Sequence, residues 1–268
     1  MGLMIYLWLH LALLFPHGDL HEKIATLSKA IVLFPDSTQL YQQRGELYLL
    51  TEEIKEARAD FYTCLRLGRN NTGVYLGLSQ ALFYLHLPDS SLYYADLAIG
   101  TDTTFTSLEW KGSSLLLMER YCESAQVYSQ LLSSAPHPSP TLFIDASLAS
   151  RQCPDGSPTA DEILKDGIAR IGRLQVLEQE LVSVYLHDKR YEDALQVQTE
   201  IIQHQVAIAG PYYDRAEIYL LMNNKAAAKE DLHQALASID KLPAHKSSTP
   251  AMQEMKKKII SLLKQLEG

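Results

Sequence analysis

The chain has 268 residues, 47% of them apolar and 21% charged, so it can bury a core and is not wholly disordered. Its formal net charge of −8 disfavours a nucleic-acid or anionic-membrane surface, because binding phosphate groups needs clustered Lys and Arg. The three cysteines, Cys64, Cys122 and Cys153, lack metal-ligand spacing, and since an odd number is no disulfide framework we expect structural thiols.

The first predicted element is an apolar segment from Leu3 to Phe15, interrupted only by His10. It is shorter than the roughly 20 residues of a transmembrane helix and matches the apolar part of a secretory signal. We therefore expect residues 1–17 to be a signal peptide and the protein to be secreted or periplasmic. The alternative is a cytoplasmic protein in which this segment is the first, buried or interfacial helix. If this segment is not cleaved, it is the only part of the chain that we expect to associate with a membrane.

From residue 18 to residue 242 the chain repeats a pattern of small and large residues with a period of about 34. The small residues that anchor the first helix of each unit are Gly45, Ser79, Gly112, Val182 and Ala216. Their intervals are 34, 33, 70 and 34 residues. The interval of 70 holds one further, degenerate unit at residues 139–172, so the pattern predicts about six units.

Helix packing explains this pattern. Two antiparallel helices approach closely only where the facing side chains are small, and large residues fill the space beside each crossing. Each hairpin leaves an apolar face open, so it must stack on the next one. The sequence therefore predicts an all-α fold, a solenoid of antiparallel helix hairpins.

A last helix is predicted at Pro250 to Leu266, after a breaker-rich loop. A solenoid needs a terminal helix that covers the last apolar face and shows water a polar one. We assign residues 250–266 to a C-terminal capping helix.

The repeat pattern resembles that of the tetratricopeptide repeat family. The match is clearest in the first complete unit, where aromatic and small residues alternate as the family requires: Tyr41, Gly45, Tyr48, Ala57 and Phe61. This resemblance implies a right-handed α-solenoid. It also implies an interaction scaffold without catalysis that binds a protein or peptide.

The resemblance further implies that the first helices line a concave groove. The residues expected to face a partner there are Gln42, Glu46, Leu49, Leu76, Gln80, Phe83, Glu109, Ser113, Gln179, Ser183, Tyr213 and Glu217. Leu186 and Leu220 fall on the same face. This lining is neutral to acidic and rich in amides, with apolar patches, so it suits an extended peptide and not a strongly acidic ligand.

Two stretches that lie 171 residues apart share charges that packing does not demand. We expect Arg44 and Arg215 to pair with neighbouring acids. We expect Glu46 and Glu217 to point towards the groove.

No motif for a nucleophile, a metal site or a phosphate loop occurs, so we expect no enzyme, cofactor or metal. Within the scaffold class, the alternative is a self-associating subunit that uses a solenoid end or the capping helix. From another class, the alternative is an enzyme or small-ligand-binding protein with a pocket in the degenerate unit at 139–172. Cys153, Asp155 and Asp161 fall near a loop there.

Overall fold

The structure is a computed structural model and describes residues 17–154, 158–204 and 209–267. The expected signal peptide falls almost entirely on residues 1–16, outside the described residues. Every regular element in the described part of the chain is a helix. None of these helices is long and apolar enough to cross a membrane.

The chain divides into two compact units, residues 1–159 and 160–268. In the first unit the helices are α1 (His17–Leu33), α2 (Thr38–Leu50), α3 (Ile54–Arg66), α4 (Thr72–Tyr84), α5 (Pro88–Thr101), α6 (Phe105–Leu117), α7 (Tyr121–Ser134) and α8 (Pro140–Gln152). Helices α2 and α3, α4 and α5, and α6 and α7 form consecutive hairpins. The first helices also contact one another, α2 against α4 and α4 against α6.

In the second unit the helices are α9 (Ala160–Ile171), α10 (Gln175–His187), α11 (Tyr191–His204), α12 (Ala209–Leu221), α13 (Lys225–Asp240), α14 (Ala244–Ser247) and α15 (Pro250–Glu267). Helices α10 and α11 and helices α12 and α13 form hairpins, and α15 packs against α13. The predicted all-α class, a stack of helix hairpins with a C-terminal capping helix, is confirmed.

The turns inside the hairpins repeat with the same intervals as the small anchors. One residue in each turn has a left-handed φ between 57° and 62°, and these residues are Glu52, His86, Glu119, Lys189 and Asn223. The N–H of the next residue then donates a hydrogen bond to a carbonyl near the end of the first helix. The Glu53 N–H, for example, donates to the Tyr48 carbonyl at 2.9 Å. This closure satisfies carbonyls that the helix leaves free and lets the second helix start at once.

Aromatic rings of second helices lie on glycines of first helices. The Phe61 ring on α3 lies so close to Gly77 on α4 that a Cβ there would be 2.3 Å from its Cζ. A Cβ on Gly45 of α2 would be 3.1 Å from the same atom. The Tyr128 ring meets Gly112 in the same way, at 3.0 Å. These contacts confirm that small residues mark the helix crossings.

The two arginines shared by the distant stretches form ion pairs, as expected. Arg44 binds both oxygens of Asp60 at 2.7 Å and donates to Ser28 Oγ at 2.9 Å. Arg215 binds Asp231 at 2.7 and 2.8 Å. Both aspartates are buried, so each arginine compensates a charge inside the stack.

The capping helix α15 covers the open face of α13 with Ile259 and Leu263, which are both buried. Four further apolar residues of α15 pack on the same cluster: Met252, Met255, Leu262 and Leu266. The helix therefore closes the last apolar face of its unit.

The expectation that the cysteines are structural thiols is wrong for two of them. Cys122 and Cys153 form a disulfide, with Cα atoms 4.9 Å apart, whereas Cys64 is free and buried. Helices α7 and α8 are antiparallel neighbours, so the start of α7 meets the end of α8. An odd number of cysteines does not exclude one bridge. The two cysteines are 31 residues apart, close to the length of one repeat, so they come together where α7 begins and α8 ends.

The degenerate unit predicted at residues 139–172 has both of its expected helices. Helix α8 ends the first compact unit, and α9 begins the second. The connector between the two helices includes residues 155–157, which lie outside the described residues.

We expect Gly77→Ala to lower the free energy of unfolding by about 1–2 kcal/mol. Overpacking of the Phe61 ring exceeds the gain in helix propensity. Gly100→Ala is the matched control, because nothing lies within 4 Å of a Cβ on that exposed helical glycine; it should be neutral or slightly stabilising. Urea unfolding of both variants measures the difference, and equal stability would contradict the close packing.

Candidate functional site

A cleft of the second unit, with a volume of about 900 Å³, lies between helices α10, α11, α12 and α15. Its lining consists of Gln179, Val182, Ser183, Leu186, Gln198, Tyr213, Asp214, Glu217, Ile218, Leu220, Leu221, Lys258, Ser261, Leu262 and Gln265. We call this cleft the α12 groove. Its lining combines apolar side chains with a few polar ones, as in sites that bind peptides or small ligands.

The groove brings together every residue of this unit that the sequence assigned to partner binding. Gln179 and Ser183 come from α10, and Tyr213 and Glu217 from α12. Gln179, Ser183 and Glu217 are exposed, and Tyr213 is half-buried. The spacing of four residues in each pair places both members on one face of their helix.

The capping helix supplies a wall that sequence reasoning missed. Lys258, Ser261, Leu262 and Gln265 of α15 line the groove beside the surface that covers α13. They follow one another at helical spacing, so the pattern was visible in the sequence. What the sequence did not give is the direction in which α15 crosses the preceding hairpins.

Asp214 is a further groove residue that sequence reasoning missed. It lies half-buried in the groove, one turn from Glu217. Burial first, and the charge of Glu217 second, raises the pKa of Asp214 to about 6. The pKa of the neighbouring Tyr213 hydroxyl is also raised, first by burial and then by its hydrogen bond to Glu217. The groove therefore holds a partly desolvated carboxylate, Asp214, one turn from the exposed carboxylate of Glu217.

In the first unit, Gln42 and Glu46 interact with each other. Gln42 Nε2 donates to Glu46 Oε1 at 2.8 Å, and Gln42 Oε1 accepts from Arg69 Nε at 2.7 Å. Glu46 is exposed, as expected for a groove residue. Leu49 is only 7% exposed and belongs to the core cluster of its hairpin, so it offers little surface to a partner.

Farther along the first unit, Gln80 and Phe83 lie on α4 beside an aromatic group. The Phe83 ring is 5.5 Å from the Trp110 ring and 5.8 Å from the Tyr84 ring, centroid to centroid. Gln80 Nε2 is buried and has no hydrogen-bond partner among the described residues. Leu76, one turn earlier, is half-buried. This part of α4 presents apolar surface, whereas the Gln80 amide is enclosed and lies close to the Tyr84 hydroxyl.

Glu109 and Ser113 of α6 belong to a polar cluster that includes Asp145 of α8. Ser113 is buried, and its hydroxyl is 3.1 Å from the Tyr128 hydroxyl. Burial first, and the charge of Glu109 second, raises the pKa of Asp145 to about 7. Burial likewise raises the pKa of Glu109. The first unit thus also holds an aspartate and a glutamate that repel each other when both are ionised.

Two of the three residues named for the alternative site at 139–172 have other partners. Cys153 is in the disulfide, so its sulfur is not a free thiol. Asp161 accepts from Lys165 at 3.0 Å and from Arg190 at 3.3 Å. Asp155 lies outside the described residues. Across the part of the chain that the structure describes, no three His, Cys, Asp or Glu side chains come together as a metal site would require.

Repeated antiparallel hairpins with a capping helix define a protein of the α-solenoid class. The family model described as tetratricopeptide repeat matches residues 38–71 and 209–239. These are the two stretches that share Arg44 with Arg215 and Glu46 with Glu217. The chain therefore contains tetratricopeptide repeats in these two stretches.

One curated relative and two solved structures illustrate the similarity. Human tetratricopeptide repeat protein 13 is 41% identical over 58 residues, which is 22% of this chain and 7% of that protein. A tetratricopeptide repeat protein from Parabacteroides merdae has 16% identity and a TM-score of 0.59, with 94% of each chain covered. The APC/C hetero-tetramer Cut9–Hcn1 contains a chain with 16% identity and a TM-score of 0.56; the match covers 94% of this chain and 48% of that one. The two structures show a shared fold.

We expect Asp145→Asn to stabilise the protein increasingly as the pH rises. The pKa of Asp145 is about 7 in the folded protein and about 3.9 in the unfolded chain. The contribution of this carboxyl to stability is therefore full below about pH 4 and is lost as the pH rises through 7. Between pH 5 and pH 8 the variant should gain on the order of 2–3 kcal/mol over the wild type. Urea unfolding across this range measures the gain, with the exposed Asp102→Asn as control. Parallel pH profiles would contradict the buried, raised carboxyl.

Proposed function

We propose that this protein is a non-catalytic scaffold that binds an extended segment of a partner protein in the α12 groove. Tetratricopeptide-repeat proteins generally bind proteins or peptides, and this fold-level tendency favours the proposal. The observation that carries it is the convergence of Gln179, Ser183, Tyr213 and Glu217 in one cleft.

The composition of the groove favours a peptide in extended form. Amide and hydroxyl side chains on α10 and α15 can bond the N–H and C=O groups that an extended backbone presents at regular intervals. The apolar lining around Leu186 and Leu220 accepts an aliphatic or aromatic side chain from the same segment. A cleft of about 900 Å³ lies near the upper end of the range for ligand pockets and has room for several side chains of a peptide.

The first unit also offers apolar surface to a peptide. Phe83 of α4 is half-buried and lies beside Trp110, so an apolar side chain of a peptide can pack on it.

Filling the α12 groove should abolish peptide binding. Peptides selected from a random display library on the wild-type protein should bind Ser183→Trp at least about tenfold more weakly, because the exposed Ser183 projects into the cleft. Gln234→Trp, at an exposed position of α13 outside the cleft, is the matched control. Fluorescence anisotropy with the selected peptides gives the affinities. Equal binding to both variants would place the site elsewhere.

We further propose that the protein is exported to the periplasm or the cell exterior. The apolar segment from Leu3 to Phe15 supports export, as does the pairing of Cys122 with Cys153, because disulfides persist in oxidising compartments and are rare in the cytosol.

Two measurements on protein from its native source test export. Alkylation after denaturation without reductant should label one cysteine, Cys64, and alkylation after reduction should label all three. Mass spectrometry should find an N-terminus after Phe15. A chain that still begins at Met1 or Gly2, with three free thiols, would contradict export.

A further inference from the structure

We propose that the α12 groove recognises a cationic side chain, arginine or lysine, of the bound peptide through the carboxylates of Asp214 and Glu217. This inference rests on the proposed peptide-binding function and adds the chemical class of the ligand. It assigns a specificity role to Asp214, which the repeat pattern did not single out.

The first argument is that these carboxylates lack a counter-ion. Asp214 and Glu217 lie one turn apart on α12. In the described part of the chain, no lysine, arginine or histidine forms an ion pair with either carboxylate. Asp214 is half-buried, and desolvation of an ionised carboxylate is unfavourable unless a cation or hydrogen bonds compensate it. A bound ammonium or guanidinium group would supply both.

The second argument comes from Lys258, the cation that lines the opposite wall. Its ammonium lies 3.9 Å from Glu254 on the same helix, and both side chains are largely exposed. The causes that raise the pKa of Asp214 are burial and Glu217 alone, so Lys258 does not neutralise the pair. The charge available to a ligand in the middle of the groove therefore stays negative.

The third argument is the apolar surface around the carboxylates. Leu186, Leu220 and Leu262 line the same cleft, so the methylene stem of an arginine or lysine can pack on them while its charged end reaches the acids. A low-dielectric surround also strengthens the ion pair relative to one on open surface. The groove thus fits a long cationic side chain better than a short polar one.

The pairing should depend on pH in a defined direction. Asp214 has a pKa of about 6 in the free protein, so it is ionised above that value and neutral below it. The titratable groups that face it are Glu217 and Tyr213 on α12 and Lys258 on α15, and the facing residues of α10 and α11 are neutral: Gln179, Ser183 and Gln198. Binding of a cationic peptide should weaken as the pH falls from 7.5 to 5.

The test uses three fluorescein-labelled heptapeptides, Ala-Leu-Ser-X-Leu-Ser-Ala, with blocked ends and X as arginine, norleucine or glutamate. Fluorescence anisotropy with the full chain at pH 7.5 should rank arginine first and glutamate last. Because hydrogen bonds to charged groups are the strong ones, arginine should bind roughly 10- to 100-fold more tightly than norleucine. The double variant Asp214→Asn with Glu217→Gln should lose this preference and its pH dependence. Glu230→Gln, an exposed acid of α13 outside the cleft, should keep both.

The outcomes separate this inference from the proposed function. If arginine and norleucine peptides bind equally and both are lost in Ser183→Trp, the groove binds peptides but the cationic preference is wrong. If the arginine peptide binds Ser183→Trp as tightly as the wild type, the groove is not the site and both proposals fall. Absence of measurable arginine-peptide binding at millimolar concentration also overturns the inference.

Discussion

The contact on which the repeat depends is an aromatic ring enclosed by glycines. The Phe61 ring approaches Gly45 of its own hairpin and Gly77 of the next one, so one side chain joins packing within a hairpin to packing between hairpins. Such a ring fits only where both first helices lack a Cβ at the crossing. A close crossing recurs in each hairpin, so small residues recur at intervals near 34. Tyr128 meets Gly112 in a similar contact, and Ser79, Val182 and Ala216 take the equivalent position in other hairpins.

Charges inside the stack follow a second recurring rule. Arg44 connects Ser28, 16 residues before it, to Asp60, 16 residues after it. In this way one guanidinium ties three successive helices together. Arg215 makes the equivalent contacts to Thr199 and Asp231. Its planar fork satisfies both oxygens of the buried aspartate, which a lysine could not do with the same geometry. Repetition of a charge therefore reflects packing where the charge is buried.

The sequence predicted the packing contacts that recur at a fixed interval, and it failed for contacts that occur at one place only. Gly45 and Ala216 could be found because their role recurs at a fixed interval. The disulfide of Cys122 with Cys153 could not, because it depends on α7 and α8 lying antiparallel at one particular end. Lys258 lines the groove because of the direction in which the capping helix crosses the preceding hairpins. A repeat pattern in the sequence does not encode that direction. Tertiary geometry determines both the disulfide and the position of Lys258.

The charge pattern of the second unit favours the proposed cationic ligand. Two buried acids of this unit pair with an arginine: Asp231 with Arg215, and Glu178 with Arg173. Asp214 receives none, although it is partly desolvated and next to Glu217. A folded state that retains such an uncompensated charge does so at a cost in stability, and costs of this kind concentrate where proteins bind other molecules. The missing arginine or lysine is the group that a partner would bring.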